Sequence, residues 1–166
     1  MIVVPYLRYD GMPTMRDSEI ISCYELMQRD VTADIVFYDG SIDTAHGFLA
    51  FVKSDGRHFY VVCEDDRSMK LGCGWLDTVR HRTANTHFTL FAEAFGKRSV
   101  EVGSYFVSKV FEISGLMMLI GYTPSFNKRA IDFAVRCGAS VVGEMPHGSV
   151  LRTGESVPTT ILYYAR

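Results

Sequence analysis

Neither sign of charge dominates this sequence. Seventeen Lys and Arg residues stand against 19 Asp and Glu, a formal net charge of -2, so nothing draws the chain as a whole to nucleic acid or to anionic lipid. No stretch approaches the roughly 18 consecutive apolar residues of a membrane-spanning helix. The opening MIVVPYLRYD has neither the basic start nor the long apolar core of a signal peptide, which predicts a cytoplasmic protein. The cysteines are few and scattered: Cys23, Cys63, Cys73 and Cys137 lie in four separate segments with no C-x-x-C pair. That excludes a disulfide framework and a zinc knuckle, and predicts buried free thiols. His46, His58, His81 and His147 have no ligand-like spacing among themselves or with cysteine, so no metal site is expected. Repeats, low-complexity tracts and linkers are also absent.

The composition is that of an ordinary folded domain, with 48% hydrophobic and 22% charged residues. A chain of 166 residues buries roughly 70% of its unfolded surface, which predicts a single domain over 1–166. Ile2 to Tyr9 reads as a first strand bent at Pro5. Ile20, Ile21, Tyr24 and Met27 have helical spacing behind Asp17 or Ser18 as N-cap. The stretch from Val31 to Tyr38 fits a short helix or an extended connector, closed by the turn residues Asp39-Gly40. Four runs rich in aromatic and β-branched residues follow, Gly47–Val52, Arg57–Cys63, Met69–Leu76 and Thr86–Phe95. Ser54-Asp55-Gly56 and Glu64-Asp65-Asp66 separate three of them at hairpin distance, predicting an antiparallel meander. Val102, Phe106 and Val110 mark a helix, Leu116–Ile120 a strand, and Pro124–Cys137 an amphipathic helix with Gly138 as its C-cap. Ser140–Met145 and Thr159–Tyr164 are two closing strands. The polar loop expected between them holds His147, Gly148, Gly154 and Pro158.

The segment from Phe91 to Phe111 is the most informative. A strand leads through Glu93-Ala94-Phe95 to a glycine and the basic pair Lys97-Arg98, and then a helix starts. Helix N-termini carry unpaired N–H groups and a favourable dipole for anions, so residues 98 to 104 can cradle a diphosphate, with Lys97 or Arg98 adding charge. From about Met69 onwards the order of elements resembles the GNAT N-acetyltransferase superfamily. Its loop Q/R-x-x-G-x-G/A is similar to Arg98-Ser99-Val100-Glu101-Val102-Gly103, and its Asn-to-Gly helix is similar to the segment from Asn127 to Gly138.

The resemblance implies an α/β (α+β) fold with a central mixed, mostly antiparallel twisted sheet of six to seven strands flanked by about four helices. It implies acetyl-CoA as acyl donor, bound by Ala94, Phe95, Arg98, Ser99, Val100, Glu101, Val102, Gly103, Ser104 and Asn127. It also implies direct transfer to an amine acceptor whose identity stays open, with Glu93 as candidate base. Strand alternation places His87, Thr89, Phe91, Glu93 and Phe95 on one face, and solvent exposure of Glu93 is an equal alternative. Two positions depart from the family pattern. Glu101 stands at the first glycine, and Ala134 stands where many members carry a tyrosine acid. Both favour the alternative of a catalytically degenerate GNAT-like domain with a binding or structural role. Exposed strand edges and the closing hairpin could pair two chains, although no residue pattern demands a homodimer.

Overall fold

The computed structural model describes residues 1–166. In chain order the strands and helices are β1 (Ile2–Pro5), β2 (Arg8–Tyr9), β3 (Met12–Pro13), α1 (Asp17–Arg29), α2 (Ala33–Val36), α3 (Ala45–Lys53), β4 (His58–Cys63), β5 (Lys70–Arg80), β6 (Thr83–Leu90), α4 (Ser99–Ser114), β7 (Met118–Pro124), α5 (Lys128–Arg136), β8 (Ser140–Val150) and β9 (Ser156–Ala165). Seven strands form one sheet in the order β1-β4-β5-β6-β7-β9-β8, and β2 with β3 forms a separate small hairpin. Every neighbour in the large sheet is antiparallel except β6 and β7, which run parallel. This is the mixed, mostly antiparallel α+β architecture that the resemblance implies, with five helices instead of about four.

Both faces of the sheet are covered, and strand alternation sorts the side chains between them. From β4, Phe59, Val61 and Cys63 join Ile20, Cys23, Tyr24 and Met27 of α1 and Phe48 and Val52 of α3 in one core. Tyr60 and Val62 join Val102, Phe106 and Val110 of α4 in the other. A smaller cluster seats Ile131 of α5 on Leu162 of β9. The α4 face depends on glycine in β5. A Cβ on Gly74 would come within 2.6 Å of the Phe106 ring and 2.5 Å of the His87 carbonyl oxygen. Phe106 therefore reaches the β5 backbone, with the Phe88 ring stacked on it at 4.2 Å.

Several expected boundaries move. Gly47–Val52 is part of helix α3 and not a strand. Thr44 caps it by accepting a hydrogen bond from the Gly47 N–H, and Phe48 and Val52, four residues apart, are buried together. A run of apolar residues this dense hides its period. α1 starts earlier than the expected caps Asp17 or Ser18: Arg16 occupies the N-cap position and its N–H donates to the Glu19 carboxylate at 2.8 Å. Val31–Tyr38 contains the short helix α2. β8 and β9 reach into the expected polar loop, which shrinks to the residues between Val150 and Ser156. β8 absorbs Pro146 and His147 in a register shift between Met145 and Ser149.

Gly74→Val is expected to cost about 1–3 kcal/mol in urea unfolding, because both the Phe106 ring and the β6 backbone must yield.

Candidate functional site

β6 and β7 pair over only three residues, Thr83–Asn85 with Met118–Ile120. Beyond that point each strand stays with its outer neighbour. β6 follows β5 as far as Leu90 opposite Gly72, and β7 follows β9 as far as Pro124 opposite Thr159. The two strands therefore part, leaving backbone edges that are not paired to each other, and such edges seek hydrogen bonds. Thr86 is the first β6 residue past the last pair, and its hydroxyl oxygen is buried without a hydrogen-bond partner. On the α4 face, Phe88 of β6 and Phe133 of α5 lie 6.3 Å apart, ring to ring.

α4 opens beside this wedge. α1, α3 and α5 each have a cap, but no side chain caps α4, so its first turn keeps N–H groups available to an anion. The expected cradle over residues 98 to 104 is narrower in the structure. Lys97 and Glu101 are exposed and Ser99 is half-buried, its hydroxyl donating to the Gly96 carbonyl at 2.8 Å. Arg98 donates to Glu64 at 2.9 Å, so its charge is already paired. Val102 is part of the core, and Gly103 is pressed against α5, where a Cβ would meet the Phe133 ring and the Cys137 sulfur at 2.6 Å. Ala94 is buried in a 3-10 turn, Phe95 is half exposed, and Val100 and Ser104 are half-buried. Asn127 caps α5, its side-chain oxygen accepting from the Ala130 N–H at 3.2 Å.

Glu93 does not sit at a strand end. β6 stops at Leu90, and Ala92–Ala94 forms a 3-10 turn. The turn is fastened to the end of α1: Asp30 accepts from the Ala92 N–H at 2.7 Å, and Arg29 grips Glu93 through two hydrogen bonds of 2.7 and 2.8 Å. The Arg29 guanidinium holds the Glu93 carboxyl below its ordinary pKa. A base for an amine needs a raised pKa, so this environment works against that role. The extended segment that lines the wedge is Thr86–Leu90, not Glu93-Ala94-Phe95.

A different pair occupies the sheet next to the wedge. His87 points to the face opposite Thr86 and Phe88, stacks on Trp75 at 5.0 Å, and its Nε2 lies 3.1 Å from Asp77 Oδ2. Both side chains are partly exposed, 35% for His87 and 23% for Asp77. A carboxylate on one ring nitrogen fixes the tautomer, leaving Nδ1 to accept a proton. The hydrogen bond with His87 holds the Asp77 carboxyl down at about 2, with Thr78 and Asn85 helping and burial opposing. Sequence reasoning placed His87 on this face but missed its partner. The available signal was the β5–β6 hairpin, whose register sets Trp75 opposite His87 and Asp77 opposite Asn85. A cavity of about 270 Å³ lies apart from this pair, under the C-terminal end of α4 between Ile113, Leu116, Leu76 and Pro5.

A folded-state pKa held below the ordinary carboxylate value contributes stability above about pH 4 that is lost as pH falls through 2. Asp77→Asn is expected to remove about 2 kcal/mol of the acid-dependent stability in that window, read as a flatter dependence of urea midpoint on pH than in the unaltered protein.

No family model matches the sequence, and no curated protein matches it. Solved structures do match. Spermidine N-acetyltransferase SpeG from Vibrio cholerae, in complex with CoA and spermine, superimposes with a TM-score of 0.70 at 14% identity, covering 98% of this chain and 95% of that one. The ribosomal-protein-S5-alanine acetyltransferase from Vibrio fischeri gives 0.69 at 12% identity, covering 91% and 90%. A GNAT-family acetyltransferase from Streptococcus pneumoniae gives 0.64 at 11% identity over 99% and 100%. The chain therefore has the fold of these GNAT acetyltransferases.

Proposed function

We propose that this chain is an acyl-CoA-dependent N-acyltransferase, with acetyl-CoA as donor and an amine as acceptor. The observation that carries the reading is the wedge between β6 and β7, with an orphaned buried hydroxyl at its apex on one face and a His–Asp pair on the other. The fold shared with N-acetyltransferases supports it. When bound, acyl-CoA supplies an acyl group activated as its thioester. The residues present fit such a donor. Thr86 offers an unused hydrogen bond within the wedge, the uncapped first turn of α4 offers N–H groups, and Lys97 offers an exposed positive charge for a diphosphate. Phe95 and Ser99, on either side of the 3-10 turn before α4, and Asn127, between β7 and α5, are further binding candidates.

An amine attacks a carbonyl only when neutral, so the protein must hold a group that takes its proton. His87 is suited to this, with Asp77 orienting the ring and stabilising the imidazolium that forms. Glu93 serves a different part: its bond to Arg29 fixes the turn that joins the wedge strand to α4. Orientation of the two reactants supplies several kcal/mol of the barrier reduction, which lessens the demand on any single acid or base. A catalytically degenerate domain with a binding or structural role is the second reading. It is favoured by Glu101, whose carboxylate stands in the first turn of α4, and by the pairing of Arg98 with Glu64.

Acetyl-CoA is expected to raise the melting temperature, since a ligand at a hundred times its Kd stabilises by about 2.7 kcal/mol; no shift at millimolar ligand would remove the reading. With a reactive amine, His87→Gln is expected to lower kcat about a hundredfold while CoA affinity holds. Glu93→Gln is expected to lower it less than tenfold. The reverse order in steady-state kinetics would return the role of base to Glu93.

A further inference from the structure

The exposed apolar side chains gather at one end of the sheet. β1 and β5 both lie antiparallel to β4 and so run in the same direction. The β2–β3 hairpin that follows β1 and the turn that follows β5 therefore leave the sheet together, at the end where β6 pairs with β7 and α4 finishes. Six large apolar residues are exposed there, Leu7, Tyr9, Met12, Val79, Ile113 and Met117, with Tyr9 at 64% and Met12 at 74%. Leu7, Val79 and Ile113 also line the cavity of about 270 Å³ under the end of α4. A projecting hairpin and an apolar groove thus stand side by side.

The hairpin is built to hold its shape. Asp10 and Gly11 join β2 to β3 with φ of +49° and +82°, the pair of positive values that a tight primed turn needs. At its root the Thr14 hydroxyl donates to the Pro5 carbonyl at 2.6 Å and accepts from the Leu7 N–H at 2.9 Å. Tyr9 and Met12 are partners across the hairpin, and the fold leaves both uncovered. Charge is divided between the two parts. Asp10 is exposed at the tip of the hairpin, while Arg80 and Arg82 are exposed on the turn into which Val79 leads, beside the groove. None of the three has an ionic partner within the chain. The Met117 N–H donates to the Arg82 carbonyl at 2.8 Å, which ties the end of α4 to the same turn.

We propose that this end of the sheet binds a second copy of the chain about a two-fold axis, the hairpin of each copy entering the groove of the other and Asp10 of each meeting Arg80 and Arg82 of the other. A two-fold contact uses one patch twice, so the patch must carry both the projecting and the receiving part and both signs of charge. At their exposures the six side chains leave on the order of 500 Å² uncovered per copy, so pairing buries on the order of 1,000 Å² through them alone, the size at which specific contacts begin. An anionic surface would meet Asp10 at the tip of the hairpin, which disfavours it. The edge strand β8 is a weaker candidate, because it carries two register shifts and Pro146, features that keep sheet edges from pairing. The patch lies at the opposite end of the sheet from the opening of α4, so pairing leaves the wedge accessible and is independent of the N-acyltransferase reading.

The test is sedimentation velocity on the unaltered protein and four variants, from about 1 to about 200 μM, the range suited to a contact of this size. The expected result is a dimer at the upper concentrations. Met12→Ser and Asp10→Asn should each weaken it at least tenfold, and asparagine tolerates the positive φ of the turn. Arg80→Glu/Arg82→Glu should be monomeric, and adding Asp10→Lys to that pair should restore the dimer by reversing the charge on both sides of the contact. Circular dichroism checks that each variant is folded. A monomer across the whole range overturns the proposal, as does a dimer that keeps its affinity in both Met12→Ser and Arg80→Glu/Arg82→Glu. A dimer broken instead by Val142→Lys places the contact on β8 and equally overturns it.

Discussion

The parallel contact between β6 and β7, and its early end, is the constraint on which the rest of the structure depends. Two parallel neighbours cannot be joined by a tight turn, so the chain must cross over, and α4 is that crossover. Because α4 packs across β4, β5 and β6 through Val102, Phe106 and Val110, its N-terminus is delivered to the open end of the wedge and its C-terminus to the closed end. The anion-attracting end of the helix and the unpaired strand edges thus come together as one consequence of topology. Gly72 and Gly74 make it compatible with packing, since they let Phe88 and Phe106 lie against β5 and bring α4 down on the sheet.

The wedge also joins two different environments. On the α4 face lie the unpartnered Thr86 hydroxyl and the neighbouring rings of Phe88 and Phe133. On the other face, His87 and Asp77 sit at the edge of an aromatic stack that runs through Trp75 to Phe37 and Phe48. Strand alternation alone places Thr86 and His87 one residue apart and on opposite faces. A reaction between a donor entering from one side and an acceptor from the other needs that arrangement, since the two meet only where the sheet is open.

Much of the frame was legible in the sequence. The strands around Arg57–Cys63 and Met69–Leu76, the helix carrying Val102, Phe106 and Val110, and an amphipathic helix within Pro124–Cys137 follow from periodicity, and the structure has them, the last one shortened to Lys128–Arg136 because Pro124 ends β7. The failures have physical causes. Gly47–Val52 is too apolar for either period to stand out, and a cap three residues earlier decides for helix. Thr86–Phe95 looks like one strand, yet Asp30 and Arg29, more than sixty residues away, capture the Ala92 N–H and Glu93 and fold the last part into a turn. The His87–Asp77 pair is a register effect across a hairpin, and no single strand displays it.

That capture gives α1 a larger part than covering the sheet. Its last turn ends in Arg29 and Asp30, which fix the turn between β6 and α4, while Gln28 beside Arg29 and Tyr24 one turn earlier line a cavity of about 200 Å³. The same helix therefore lines that cavity and holds the turn before α4 in place. Asp30 is almost fully buried, with its side chain 3% exposed, and its carboxyl is held below the ordinary value first by Arg29 and then by the Ala92 N–H. A buried carboxylate is tolerated only when its charge is matched, so Arg29 must stay where it is for the turn to keep its shape. Movement of α1 would be felt at the opening of α4 through these two residues, without any change in the sheet between them.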